Sequence, residues 1–168
     1  RVEQIAGIET LIKDSDRQTD DGPAVVLFHG FGADAQDLAS LVPMLNIDDR
    51  LSFYFPEGPL EVPIGFGQMG RAWFPIPLSQ LTDGFDFEDI RPEGLNGIVK
   101  KVERFISNLP HEEIILGGFS QGSMLTTHLF LKNPSRFKGL VALSGTLCNR
   151  SEWQSFCDHA KERPPVFQ

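Results

Sequence analysis

The chain has 168 residues, of which 40% are apolar and 23% charged, and it carries a net charge of -8. That length and balance fit one domain, residues 1–168, with its own core. The acidic excess argues against nucleic-acid binding, which needs a basic face, and against anionic membrane surfaces. No apolar run approaches a membrane span, so no stable membrane insertion is expected. Arg1 to Thr10 lacks the apolar core of a secretion signal, and the missing initial Met leaves room for a removed leader. The expected location is cytoplasmic.

Cys148 and Cys157 are too few for a disulfide framework, and their spacing matches no zinc pattern. His29, His111, His128 and His159 are scattered and form no H-E-x-x-H cluster. Neither a metal nor a cofactor is expected.

In chain order, Glu9 to Ile12 reads as an early strand, and the polar stretch Asp14 to Gly22 as a turn. Ala24 to Phe28 is a continuous apolar run, the pattern of a strand covered on both faces. His29-Gly30-Phe31-Gly32 follows as a glycine-rich turn. Asp34 or Asp37 can cap a helix over about Gln36 to Leu45, with Leu38, Leu41 and Val42 on one face. Leu51 to Phe55 reads as the next strand, ended by Pro56-Glu57-Gly58-Pro59. From there to Asp86 the chain is rich in proline and glycine and has little periodicity, as functional loops do. Phe66, Trp73 and Phe74 make that segment a candidate pocket wall, or else fill core beneath it. An exposed aromatic loop also suits a homodimer contact.

Leu95, Ile98, Val99, Val102, Phe105 and Ile106 share one helical face, with Pro92 suited to the first turn and Asn108-Leu109-Pro110 at the end. Ile114 to Gly117 reads as a buried strand and Ser123 to Leu131 as a helix closed by Asn133-Pro134. Gly139 to Gly145 is another buried strand, Ser151 to Lys161 a weaker helix, and Pro164 to Gln168 the beginning of a further strand. Alternating strands and helices with apolar strands predict an α/β domain with a mostly parallel sheet, its ligands gathered at the strands' carboxyl ends.

Between strand and helix stands Gly118-Phe119-Ser120-Gln121-Gly122, a G-x-S-x-G sequence in the strand–turn–helix context of a nucleophile elbow. The two glycines let strand and helix approach while the bend lifts the Ser120 hydroxyl clear of the backbone. A serine attacking an ester or thioester makes an oxyanion, which needs fixed donors. In this arrangement those are the Gln121 N–H and the Phe31 N–H, the latter exposed by Gly30 and Gly32. His29 suits bracing of that turn better than service as the base. His128 lies two helical turns past Ser120, His111 at the wrong end of its strand, and adjacent Asp158 and His159 point apart on a helix.

These motifs occur in one order: Leu27-Phe28-His29-Gly30-Phe31-Gly32 with Asp37-Leu38, Phe55-Pro56-Glu57-Gly58-Pro59, Trp73-Phe74, Gly117 to Ser123, and Ala142-Leu143-Ser144-Gly145. Together the chain resembles the phospholipase/carboxylesterase family of α/β-hydrolases, which includes the acyl-protein thioesterases. The resemblance implies a Ser-His-Asp hydrolase of short- or medium-chain acyl esters or thioesters, acting through an acyl-enzyme, with Ser120 as nucleophile and Phe31 and Gln121 backbone as oxyanion hole. It places Trp73 near the acyl pocket. Pro75 stands where the family commonly has Asp, and Glu57 where it commonly has a small residue. The family's acid and histidine follow a strand that Pro165 to Gln168 resembles, so both are expected beyond Gln168, and these 168 residues alone are expected to be inactive and poorly stable. The alternative is a non-catalytic binding protein that keeps the fold and the pocket.

Overall fold

The computed structural model describes residues 1–15, 22–44, 51–77 and 90–168. Its main sheet has seven strands in the order β1-β2-β4-β3-β7-β8-β9. These are β1 (Val2–Ile5), β2 (Ile8–Lys13), β3 (Ala24–Phe28), β4 (Ser52–Pro56), β7 (Ile114–Phe119), β8 (Gly139–Leu143) and β9 (Val166–Phe167). A separate two-stranded ladder joins β5 (Leu60–Gly65) to β6 (Gln68–Ala72). The helices are α1 (Ala35–Ala39), α2 (Leu95–Ser107), α3 (Gln121–Lys132) and α4 (Arg150–His159). From β4 through β9 every neighbouring pair is parallel, while β1 and β2 extend the sheet antiparallel beyond β4.

Alternate residues of the central strands feed two different cores, as the period of a pleated strand requires. Ala24, Val26 and Phe28 face one side with Tyr54, Ile114 and Leu116, against the apolar face of α2 and against Met124, Leu125 and Leu129 of α3. Val25, Phe53 and Phe55 face the other side, where Ala35 and Val42 cover them. The continuous apolar runs read from the sequence therefore reflect a sheet buried on both faces.

Four local readings change. The helix expected over Gln36 to Leu45 stops at Ala39, and a 3₁₀ turn spans Val42–Met44. Pro43 has no N–H to give, and its ring would collide with the carbonyl of Ala39, so an α-helix cannot run through it. Leu41 is accordingly exposed while Val42 is buried. Leu45 lies outside the described residues. The capping part of that reading holds: Asp34 accepts from Asp37 N–H, and the Asp37 carboxylate accepts from Asp34 N–H.

The segment expected to be irregular after Pro59 contains the β5–β6 hairpin, and its part over 78–89 lies outside the described residues. The opening residues, where the sequence pattern shows no strand before Glu9, form β1, turned back on β2 through Ala6 and Gly7, both at positive φ (50° and 78°). Pro92 lies ahead of α2 rather than in its first turn, and Leu95 N–H closes that lead-in turn on Pro92 O. No helix of the described residues is long and apolar enough to cross a membrane.

Candidate active site

Ser120 sits at the junction of β7 and α3 with φ 50° and ψ -114°, outside the regions that a residue with a Cβ adopts freely. Its own N–H donates to Leu143 O at 2.9 Å, which ties the bend to the end of β8, and its carbonyl accepts from Met124 N–H. The two glycines are needed for closeness. A Cβ on Gly118 would stand 2.4 Å from Gly122 C and O, and a Cβ on Gly122 would stand 2.0 Å from Phe28 O. Strand β3, the bend and the first turn of α3 are thus in backbone contact at one point. The side chain of Ser120 is half-buried, with partly exposed Phe119 and Leu143 near it.

The turn after β3 lies directly against this bend. Gly30 approaches so closely that a Cβ there would be 3.4 Å from Ser120 Cβ and 3.2 Å from the Phe119 ring. Gly32 has φ 81° and donates its N–H to Arg71 O at 2.8 Å, while Arg71 N–H donates to Ala33 O at 3.0 Å. The β5–β6 hairpin therefore pairs with the turn, and Gly70 leaves room for Gly32 O at the crossing. Gln121 opens α3, so its N–H is one of the first-turn amides with no intrahelical partner.

A closed set of hydrogen bonds joins the two halves of the site. The buried Gln121 side chain accepts from Trp73 N–H at 2.9 Å and donates to Phe74 O at 2.7 Å. The Trp73 indole donates to His29 O at 2.9 Å, and its ring lies against Phe28 and His29. Gly58 N–H donates to His29 Nε2 at 2.9 Å, so Nδ1 carries the ring hydrogen and donates to Gly30 O at 2.8 Å. Glu57 Oε1 stands 3.2 Å from the same Nε2, and Glu57 Oε2 accepts from Ala35 N–H at 3.2 Å. Burial pushes the Glu57 carboxyl up, while the Ala35 amide and Arg71 favour its charged form.

Of the residues singled out from the sequence, Ser120, Gln121, Gly30, Gly32 and His29 come together here, with Phe31 in the chain between the two glycines. Trp73 and Phe74 are 1% exposed and belong to the core, bonded to Gln121 rather than lining an open wall. Their order in the chain gave no hint of the Gln121 bridge, which a buried glutamine beside the serine could have suggested. Phe66 is fully exposed at the hairpin tip, between Gly65 and Gly67, and is not part of this cluster. Among the described residues no histidine engages Ser120: His111 bonds Tyr54 and Gly22, His128 accepts from Trp153, and His159 bonds Ser155 O. A cavity of about 540 Å³ lies against α3 and α4, lined by Phe130, Leu131, Gln154, Cys157 and Val166 rather than by Ser120. Both cysteines are free, and burial pushes the Cys148 thiol up to about 12. Among the described residues, no group of His, Cys, Asp or Glu is placed to hold a metal ion.

Comparison with known proteins gives one consistent result. An acyl-protein thioesterase 1 of Eremothecium gossypii is 31% identical over 155 residues, covering 86% of this chain and 63% of its own length. That of Schizosaccharomyces pombe is 25% identical over 152 residues, covering 85% of this chain and 64% of its own length. The chain thus spans a little under two thirds of the curated relatives it matches. Among solved structures, esterase PE8 superposes with a TM-score of 0.75 at 23% identity, over 95% of this chain and 72% of its own. Acyl-protein thioesterase 2 of Zea mays gives 0.65 at 18% identity, over 90% and 68%. These likenesses show the α/β-hydrolase fold. The phospholipase/carboxylesterase family model matches residues 11–168, nearly the whole chain, and this protein belongs to that family.

Proposed function

We propose that this chain carries the nucleophile and oxyanion half of a serine hydrolase that cleaves carboxylic esters or acyl thioesters of short or medium chain length. The observation that carries the reading is Ser120 itself, held at φ 50° between β7 and α3 with Gly30 in contact beside it. Strain of this kind persists only where surrounding structure enforces it, and here a helix start, a strand end and a glycine turn all do. Ser120 Oγ attacks the acyl carbon, and the leaving alcohol or thiol departs from an acyl-enzyme. Gln121 N–H and Phe31 N–H receive the oxyanion, aided by the positive end of α3. Phe119 and Leu143, both partly exposed, offer apolar surface for the acyl group.

In this reading the base and the acid come from polypeptide that follows Gln168 in the full-length product. Relatives named acyl-protein thioesterase support the substrate class. The test is a fluorophosphonate probe on the full-length product. The expected result is a single adduct on Ser120, absent in Ser120→Ala, with turnover of p-nitrophenyl esters and acyl thioesters lost in parallel. An unlabelled wild-type protein that is folded would falsify the proposal and leave a non-catalytic binding role.

A further inference from the structure

The surroundings of His29 contain a conflict that the catalytic reading leaves unused. Nε2 has one lone pair, and Gly58 N–H occupies it at 2.9 Å. Glu57 Oε1 nevertheless stands 3.2 Å from the same nitrogen. That oxygen is buried and, among the described residues, has no hydrogen-bond donor, although Arg71 Nε lies 4.0 Å away. A carboxylate oxygen facing a filled lone pair is a costly arrangement. One proton resolves it. If Nε2 takes a proton from water, it becomes a donor, its bond from Gly58 N–H is lost, and Nε2–H closes on Glu57 Oε1.

We propose that Glu57 is a positioning residue of the 29–32 turn that acts through His29, whose Nε2 holds either Gly58 N–H or, once protonated, Glu57 Oε1. Glu57 is suited to this by its two attachments. Oε2 holds the first turn of α1 through Ala35 N–H, and its own N–H donates to Glu9 O on β2. Its carboxylate is therefore fixed while the ring chooses a partner. The exchange matters because Nδ1–H of the same ring donates to Gly30 O, the carbonyl of the peptide group that carries the Phe31 N–H. A ring that changes partner at Nε2 changes the brace on that amide.

Among the described residues, the other charges about the pair are few. Arg71 on β6 faces Oε1 and is shared with Glu61 on β5. Asp34 and Asp37 at the start of α1 satisfy each other's amides. The first turn of α3 carries no acidic residue. The consequence for catalysis rests on the hydrolase reading above; the exchange of partners does not.

The experiment is a pH series, from about 8 to about 5, on the full-length product and on Glu57→Gln, with Glu57→Asp as the charge-preserving variant. Two signals are followed: the Gly58 amide and His29 ring nitrogens by NMR, and the rate of fluorophosphonate labelling. The Gly58 amide is expected to lose its hydrogen-bonded shift in one transition with the ring nitrogens. In Glu57→Gln, where the acceptor waiting for Nε2–H is neutral, that transition moves to lower pH, and Glu57→Asp restores most of it. The labelling profile is expected to move with it. A Gly58 transition at the same pH in wild type and Glu57→Gln, or none at all, overturns the exchange. A moved Gly58 transition with an unmoved labelling profile overturns the positioning role. If wild type does not label at all, the hydrolase reading fails, and the Gly58 signal alone decides whether His29 Nε2 exchanges partners.

Discussion

Ser120 combines a reactive position with an unfavourable backbone, and the two are separable by substitution. A residue held in a sparsely populated φ/ψ region costs about 1–3 kcal/mol, and glycine removes most of that while adding back about 0.5–1 kcal/mol of unfolded-chain entropy. Ser120→Gly is therefore expected to raise the urea midpoint of unfolding, by about 1 kcal/mol in stability, while abolishing probe labelling. A lowered midpoint means that the bend is not strained. Gly122 has the opposite character. With Phe28 O 2.0 Å from the place its Cβ would take, Gly122 tolerates no side chain. The requirement at Gly118 and Gly122 could be read from the sequence, because it follows from the bend alone. Glu57 facing His29 could not be, since it depends on where β4 ends relative to β3.

Among the elements, those with a buried, regular face were readable in advance. Helix α2 places Leu95, Ile98, Val99, Val102, Phe105 and Ile106 in the core, the same six residues that its spacing selects. Strands β3, β4, β7 and β8 announced themselves as apolar runs because helices or turns cover them on both sides. The β5–β6 hairpin gave no such signal. Its Leu60, Ile64, Phe66 and Met69 are exposed, and Pro63, Gly65, Gly67 and Gly70 interrupt any alternation. What fixes it is backbone pairing between Arg71 and the 32–33 segment, which sequence pattern does not encode. The hairpin can be tested at its two ends. Phe66→Ser at the tip is expected to change stability by less than about 0.5 kcal/mol. Gly70→Ala at the crossing, where a Cβ would lie 2.0 Å from Gly32 O, is expected to cost about 1–3 kcal/mol and to slow labelling of Ser120. Guanidinium melts and labelling rates of both variants check this, and a Gly70→Ala protein as stable as wild type sinks it.

Among the described residues the helices lie unequally on the two faces, and a buried polar contact joins α3 to α4. Trp153 Nε1 donates to His128 Nδ1 at 3.1 Å, and Phe156 packs edge-on to the imidazole. Burial holds His128 below its ordinary value of 6.5, against the opposing charge of Glu152 and with Lys132 and Arg91 adding to it. The unfolded chain then binds a proton at pH values where the folded one does not, so stability rises with pH across that interval. The contribution is complete above about pH 6.5 and is lost progressively as pH falls toward the lower folded-state value, where a second proton displaces the Trp153 indole. Stability from urea titrations is expected to fall between about pH 7 and about pH 5, with a shallower fall in His128→Gln. Equal slopes in the two proteins rule His128 out as the source.

Strand β3 pairs in register with β7, Ala24 with Ile114 and Phe28 with Gly118, although some ninety positions of chain separate them. Contacts of such long range close late, because a large loop must be ordered before they return any free energy. The β1–β2 hairpin needs only Ala6 and Gly7 to turn. Chain assembly should thus begin at the antiparallel margin and finish at the centre, so that the nucleophile acquires its shape last. Pulse-labelled hydrogen exchange during refolding reads this order directly: protection at Ile12 N–H before Gly118 N–H supports it, and the reverse order refutes it.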